Sequence, residues 1–187
     1  APVAYWDYAV RLGQIPMPNA GMTISETGYS TAVNNANREG VDETTQAKYI
    51  LDVLMDAAKA GIKATNLYEL VDQRNDTTKT SKENNFGLFH NDWTPKVAAT
   101  AIHNLTTILT DGVGSVTSTS TLAYNVTGLS AVGKHMLFQE ANGVQDIVVW
   151  SEPDIWDEAG RKGIAVAGQQ VTITLPTAVT GYAIYDP

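Results

Sequence analysis

The chain has 187 residues and a mass of 20.1 kDa, which at about 100–200 residues per domain allows one domain or two small ones. Hydrophobic residues make up 43%, enough for a core, so wholesale disorder is excluded. Twelve Lys and Arg against 20 Asp and Glu leave a formal net charge of -8 and a pI near 4.7. Such a surface repels phosphate backbones and excludes nucleic acid as a partner.

The first segment, Ala4–Leu12, has helical spacing, and Gly13 stands where a C′ glycine would end it. A loop with Pro16 and Pro18 leads to a strand predicted over Met22-Thr23-Ile24-Ser25, ending at Glu26-Thr27-Gly28-Tyr29. The polar loop from Ser30 to Gly40 is long enough to suggest a functional surface. The next helix is capped by Asp42 or Thr44 and ends at Gly61, with Ala47, Ile50, Leu51, Leu54, Ala57 and Ala58 as its apolar stripe. A second strand, Ala64–Tyr68, follows within Ile62–Leu70, so the two strands and their crossover read as a parallel β-α-β unit.

The loop from Asp72 to Asn85 is polar and expected to be mobile. Phe86-Gly87-Leu88-Phe89 and the turn His90-Asn91-Asp92-Trp93 lead to a helix capped by Thr94, with Pro95 at its first position. Its stripe is Val97, Ala98, Ala101, Ile102, Leu105, Ile108 and Leu109. The Gly/Ser/Thr-rich stretch near residues 111–121 reads as a boundary. It separates a 1–112 segment from a 113–187 region of alternating strands: Leu122–Leu129, His135–Glu140, Asp146–Ser151, Val171–Leu175 and Gly181–Tyr185. Asn142-Gly143 marks a hairpin among them. Five short strands suggest a small antiparallel β-sandwich.

Several chemistries are excluded or left without support. With no cysteine there are no disulfides, no thiol catalysis and no cysteine-ligated metal or cluster. No apolar run approaches the ~18–20 residues of a membrane span, so no membrane partner is expected. The opening APVAYWDYAV has no basic n-region, so no signal peptide is expected. His90, His103 and His135 lie in different elements without ligand spacing, and no resident metal or cofactor is expected. Asp72, Asn75 and Asp76 offer oxygens to a calcium ion in one loop, with a solvated loop as the plainer reading. Gly112-x-Gly114 precedes strand-like sequence and is no phosphate loop. There is no Gly-x-Ser-x-Gly elbow.

The best catalytic candidate is Glu26, at the carboxyl end of a predicted parallel strand, the end that carries active sites in β/α architectures. A carboxylate there serves as nucleophile or acid/base, or only as a loop carboxylate or cap. Glu69 ends the neighbouring strand on the same rim, either as a second functional carboxylate or as an acceptor for loop amides. Trp150 and Trp156 flank Glu152 and Asp154. Exposed, they would stack on sugar faces; buried, they are core or interface residues. Trp6 and Trp93 read as packing residues.

The string Thr23-Ile24-Ser25-Glu26-Thr27-Gly28-Tyr29-Ser30-Thr31 resembles the seventh-strand signature of clan A glycoside hydrolases, retaining (β/α)8-barrel (TIM-barrel) enzymes. Gln46-Ala47-Lys48-Tyr49 resembles the start of the following helix, and Leu67-Tyr68-Glu69-Leu70-Val71-Asp72 resembles the eighth strand. Phe86-Gly87-Leu88-Phe89 and Trp93-Thr94-Pro95-Lys96 resemble the approach to the last helix, and the β-rich tail is similar to the C-terminal β-sandwich of such barrels. The resemblance implies an α/β fold with a partial barrel and an accessory sandwich. It implies Glu26 as nucleophile, with Tyr68, Glu69 and Tyr29 on the substrate side, and a glycan as substrate.

In that clan the acid/base is usually part of an Asn-Glu pair at the fourth strand, and no Asn-Glu dipeptide occurs here. The 187 residues alone are therefore expected to be inactive. The rest of the barrel, in the same chain or a second one, would cover the open edges of two barrel strands. Charged residues at 17%, with 22 Thr and 12 Asn, fit a secreted or periplasmic glycan-active protein. Three sequons, at Asn75, Asn104 and Asn125, are a number that chance supplies in an Asn- and Thr-rich chain. A non-catalytic carbohydrate-binding module and an inactive barrel scaffold are the rival readings.

Overall fold

The computed structural model describes residues 21–110, 122–179 and 181–187. The expected first helix with Trp6 and Gly13, and the junction over 111–121 with Gly112 and Gly114, lie outside the described residues.

Strands β1 (Thr23–Thr27) and β2 (Ala64–Leu67) pair in parallel, Thr23 opposite Ala64 and Ile24 opposite Thr65. The crossover is helix α1 (Glu43–Lys59). Asp42 is its cap: Oδ1 accepts from the Thr45 amide at 2.7 Å, satisfying a backbone donor with no intrahelical partner. Gly61, at φ +73, follows its end. The buried face runs through Ala47, Ile50, Val53, Met55 and Ala57. Leu51, Leu54 and Ala58 of the expected stripe are only half-buried. The face is rotated because Gln46 is buried in it, its amide hydrogen-bonded to two backbone carbonyls.

After β2 the chain passes a 3-10 turn (Glu83–Asn85) and two single bridges, Val71 with Phe89 and Phe89 with Pro95, before helix α2 (Val97–Ile108). Ala98, Ala101 and Leu105 face inward, while Val97, the first member of the expected stripe, is exposed. The fold is mixed α/β. Among the described residues β1 and β2 form a two-stranded sheet and no barrel closes.

The remaining strands form separate two-stranded sheets. β3 (Asn125–Thr127) pairs antiparallel with β8 (Thr172–Thr174). β4 (Gly133–Gln139) and β5 (Gln145–Ser151) make a hairpin whose turn carries Asn142 and Gly143, the latter at φ +91. β6 (Trp156–Asp157) and β7 (Lys162–Gly163) make a short ribbon between β5 and β8. Strands β3, β4, β5 and β8 fall on four of the five expected strands, and the fifth is corrected. Gly181–Tyr185 forms no strand, and Ile184 is 87% exposed. Its alternating pattern supplies side-chain faces, but among the described residues no ladder receives its backbone.

The chain divides into two compact units. One holds the described residues up to Ala101 with Trp156–Ile164; the other holds Ile102–Ile155 and Ala165–Pro187.

Candidate active site

The carboxyl ends of β1 and β2 assemble the site. The ladder pairs Ile24 with Thr65 and next Thr27 with Leu67, so Ser25 and Glu26 together oppose Asn66. This is a β-bulge, which interrupts in-out alternation and re-aims a side chain. Ser25 and Glu26 are accordingly both exposed. Asn66 Nδ2 donates to the Ile24 carbonyl at 3.2 Å, beside the irregularity.

The β1–β2 hydrogen bonding continues past the strands, with the Tyr68 amide donating to the Thr27 carbonyl at 2.7 Å. Gly28 permits this approach: a Cβ there would collide with the Tyr68 carbonyl oxygen. The Tyr68–Glu69 peptide is cis. The Tyr68 ring meets Phe86 edge-on, with centroids 5.3 Å apart. Gln73 Nε2 donates to the Tyr68 hydroxyl at 3.0 Å and to Glu69 Oε2 at 3.4 Å. Glu69 Oε1 is buried without a hydrogen-bond partner.

Partial desolvation raises the Tyr68 pKa, and the negative fields of Glu69, Glu83 and Glu26 raise it further. The phenol therefore stays protonated and able to donate. Desolvation also raises the Glu69 carboxyl, against the hydrogen bond from Gln73; Asp72 and Glu83 push it further up. Tyr68 thus stands in the field of carboxylates from both strand ends and from the 3-10 turn.

A buried polar hub supports this rim. Lys96 and Asp72, 1% and 4% exposed, pair at 2.7 Å. Lys96 Nζ also donates to Thr31 Oγ1 at 3.0 Å and to the Asn85 carbonyl at 3.3 Å. Asp72 Oδ1 accepts the Gly87 amide at 2.8 Å. Burial lowers the Lys96 pKa and the Asp72 pair opposes that. Gln46 spans the same region, from Nε2 to the Tyr29 carbonyl at 2.8 Å and to the Gly87 carbonyl at 3.3 Å.

The loop over 72–85, expected to be mobile, is cross-linked. Asp76 accepts from Thr78, Thr80, Ser81 and Asn85. These bonds, led by the Thr78 hydroxyl, hold its pKa far below the ordinary carboxylate value. The loop over 30–40 is joined to it: Asn34 bonds the Lys79 and Thr78 carbonyls, and Asn35 Nδ2 the Thr80 carbonyl. The oxygens of Asp72 and Asp76 considered for calcium thus serve separate sets of protein donors. Among the described residues no three His, Asp or Glu side chains gather as a metal site.

Glu26, Tyr68 and Glu69 thus belong to one rim. Tyr29 sets its ring against Tyr49 of α1, centroids 5.0 Å apart. Trp150 is half-buried, its Nε1 donating to Glu152 Oε1 at 3.1 Å. Trp156, at 5% exposure, presents no open face, which answers to the buried one of its two readings. Trp93 is corrected: read as a packing residue, it is 67% exposed.

Sequence reading assigned no role to Glu83, Gln73, Gln46 or Lys96. One signal was available for Lys96. A cation just before a helix opposes the helix dipole, so its presence there calls for a carboxylate partner. No spacing rule marks Gln73 or Glu83, because loop closure brings them to Tyr68.

No family model and no curated protein matches the chain. Among solved structures, the chain is similar to a family 39 glycoside hydrolase from the gut symbiont Bacteroides cellulosilyticus WH2, with 18% identity and a TM-score of 0.48. The match covers 71% of this chain and 24% of that one, so the chain spans about a quarter of that structure's length.

Proposed function

We propose that this chain is part of a retaining glycoside hydrolase, secreted or periplasmic, and supplies the rim of two neighbouring barrel strands. The observation that carries this is the parallel β1–β2 pair, in which the bulge leaves Glu26 exposed at the strand end shared with Tyr68 and Glu69. The order of the glycosidase-like motifs around those residues supports the same reading.

Glu26 attacks the anomeric carbon as the glycosidic bond breaks, giving a covalent glycosyl ester. A second carboxyl ~5–5.5 Å away protonates the leaving oxygen and then takes a proton from water. That carboxyl comes from the rest of the barrel, in the same chain or a second one; the 187 residues alone are expected to be inactive. Tyr68, kept protonated, donates a hydrogen bond to Glu26 or to a sugar oxygen. Glu69 offers its unpartnered Oε1 to a sugar hydroxyl.

The test is chemical rescue in the complete enzyme. Glu26→Ala is expected to abolish turnover of an aryl glycoside. Azide should restore it, yielding a glycosyl azide of inverted configuration relative to the substrate. Unimpaired turnover in Glu26→Ala would overturn the assignment.

A further inference from the structure

Trp93 occupies the turn before α2 with φ +68. In this left-handed region a bulky side chain is disfavoured, and glycine is the residue the backbone favours. The turn does not need the indole. The His90 amide donates to the Thr94 carbonyl at 2.8 Å, and the Trp93 amide to the His90 carbonyl at 2.9 Å. Asp92 Oδ1 accepts from the Thr94 amide at 3.0 Å and its hydroxyl at 2.6 Å. Asn91 Nδ2 donates to the Asp72 carbonyl at 3.0 Å. Among the described residues the indole itself makes no hydrogen bond and no ring contact. The chain thus keeps a tryptophan where the backbone favours glycine and leaves it 67% exposed. A sterically unfavourable conformation of this kind is a pointer to function.

The turn lies on the active-site rim. His90 Nε2 is 3.3 Å from Glu43 Oε1 in the first turn of α1, and Asn91 is tied to Asp72 just beyond β2. This is the end where β1 and β2 finish and both helices begin.

We infer that Trp93 is a sugar-stacking platform, a binding position on this rim additional to Glu26, Tyr68 and Glu69; this rests on the glycan reading above. An exposed aromatic face on a hydrogen-bonded turn receives the C–H face of a pyranose. The exposed neighbours Asn91, Asp92 and Thr94 supply polar groups for its hydroxyls. That setting suits a polyhydroxylated ring better than a protein hot spot, which is fully desolvated in a packed pocket.

The experiment titrates the complete protein with cellohexaose, xylohexaose, laminarihexaose and chitohexaose by calorimetry and tryptophan fluorescence. Wild type should bind at least one of them. Trp93→Gly should bind that glycan at least about tenfold more weakly, with an unchanged or higher Tm because glycine suits the backbone. Trp93→Phe should retain much of the affinity. Undiminished binding by Trp93→Gly would overturn the platform alone and leave the glycan reading standing. So would a protein dimer that Trp93→Gly dissolves while glycan affinity stays unchanged. Failure of wild type to bind any of the four would overturn both.

Discussion

The loops above β1 and β2 bury charged and amide groups, whereas strands β3, β4, β5 and β8 contain no fully buried side chain. Each region has a lysine–carboxylate pair. Lys96–Asp72 in the rim is sealed from water, with further hydrogen bonds on both partners. Lys134–Glu152 beside the β4–β5 hairpin spans 2.5 Å with both side chains about a third exposed. A sealed pair is unforgiving, because removing one partner strands the other's charge in a poor dielectric. A wet pair is replaced by water at little loss. The rim's geometry is therefore fixed by polar cross-links, while the ribbons rely on ladder pairing and half-buried side chains.

The sharpest way to break this contrast is Lys96→Met, which leaves the Asp72 carboxylate buried without its ammonium partner. It is expected to destabilise the fold by ~3–5 kcal/mol in chemical denaturation. A loss below about 1 kcal/mol, the range for surface pairs, would erase the distinction between the two regions.

Asp76→Asn comes next. It weakens several charge-assisted bonds that close the 72–85 loop, for an expected loss of ~1–3 kcal/mol. Because the folded pKa of Asp76 lies below the ordinary 3.8, its contribution is present above that value and declines as pH falls through it toward the folded pKa. Unfolding measured from pH 5 down to 2 should show this slope in wild type and a flatter one in the variant. Glu69 carries the opposite sign. Its raised pKa makes its ionised form unfavourable to folding at neutral pH, a penalty relieved as pH falls through the raised value. Glu69→Gln should therefore stabilise the fold at pH 7.

In the ribbon region, Glu152→Gln keeps an acceptor for Trp150 and removes only the charge, and should cost about 0–1 kcal/mol. The smallest stability effect belongs to Glu26→Gln. At an exposed position it should stay within ~0.5 kcal/mol, separating loss of activity from loss of fold.

The β1–α1–β2 unit was legible because the helical stripe and its Asp42 and Gly61 boundaries are local signals. The bulge at Ser25–Glu26 was not, since register exists only once Asn66 is opposite. Glu26 and Glu69 could be placed on one rim by parallel topology, whereas Glu83 and Gln73 reach Tyr68 only through loop closure. Trp93 was misread because an indole beside a helix start looks like packing; its φ angle is not written in the residue type. Gly181–Tyr185 shows the converse error: alternation describes faces but supplies no partner strand.

The most direct measurement is peptide mapping by mass spectrometry after treating the complete enzyme with a 2-deoxy-2-fluoro glycosyl fluoride matched to the glycan it binds. The expected result is one sugar esterified to Glu26, accumulating as activity is lost and absent in Glu26→Gln. A label on a different carboxylate, with Glu26 unmodified and the enzyme inactivated, would contradict the account.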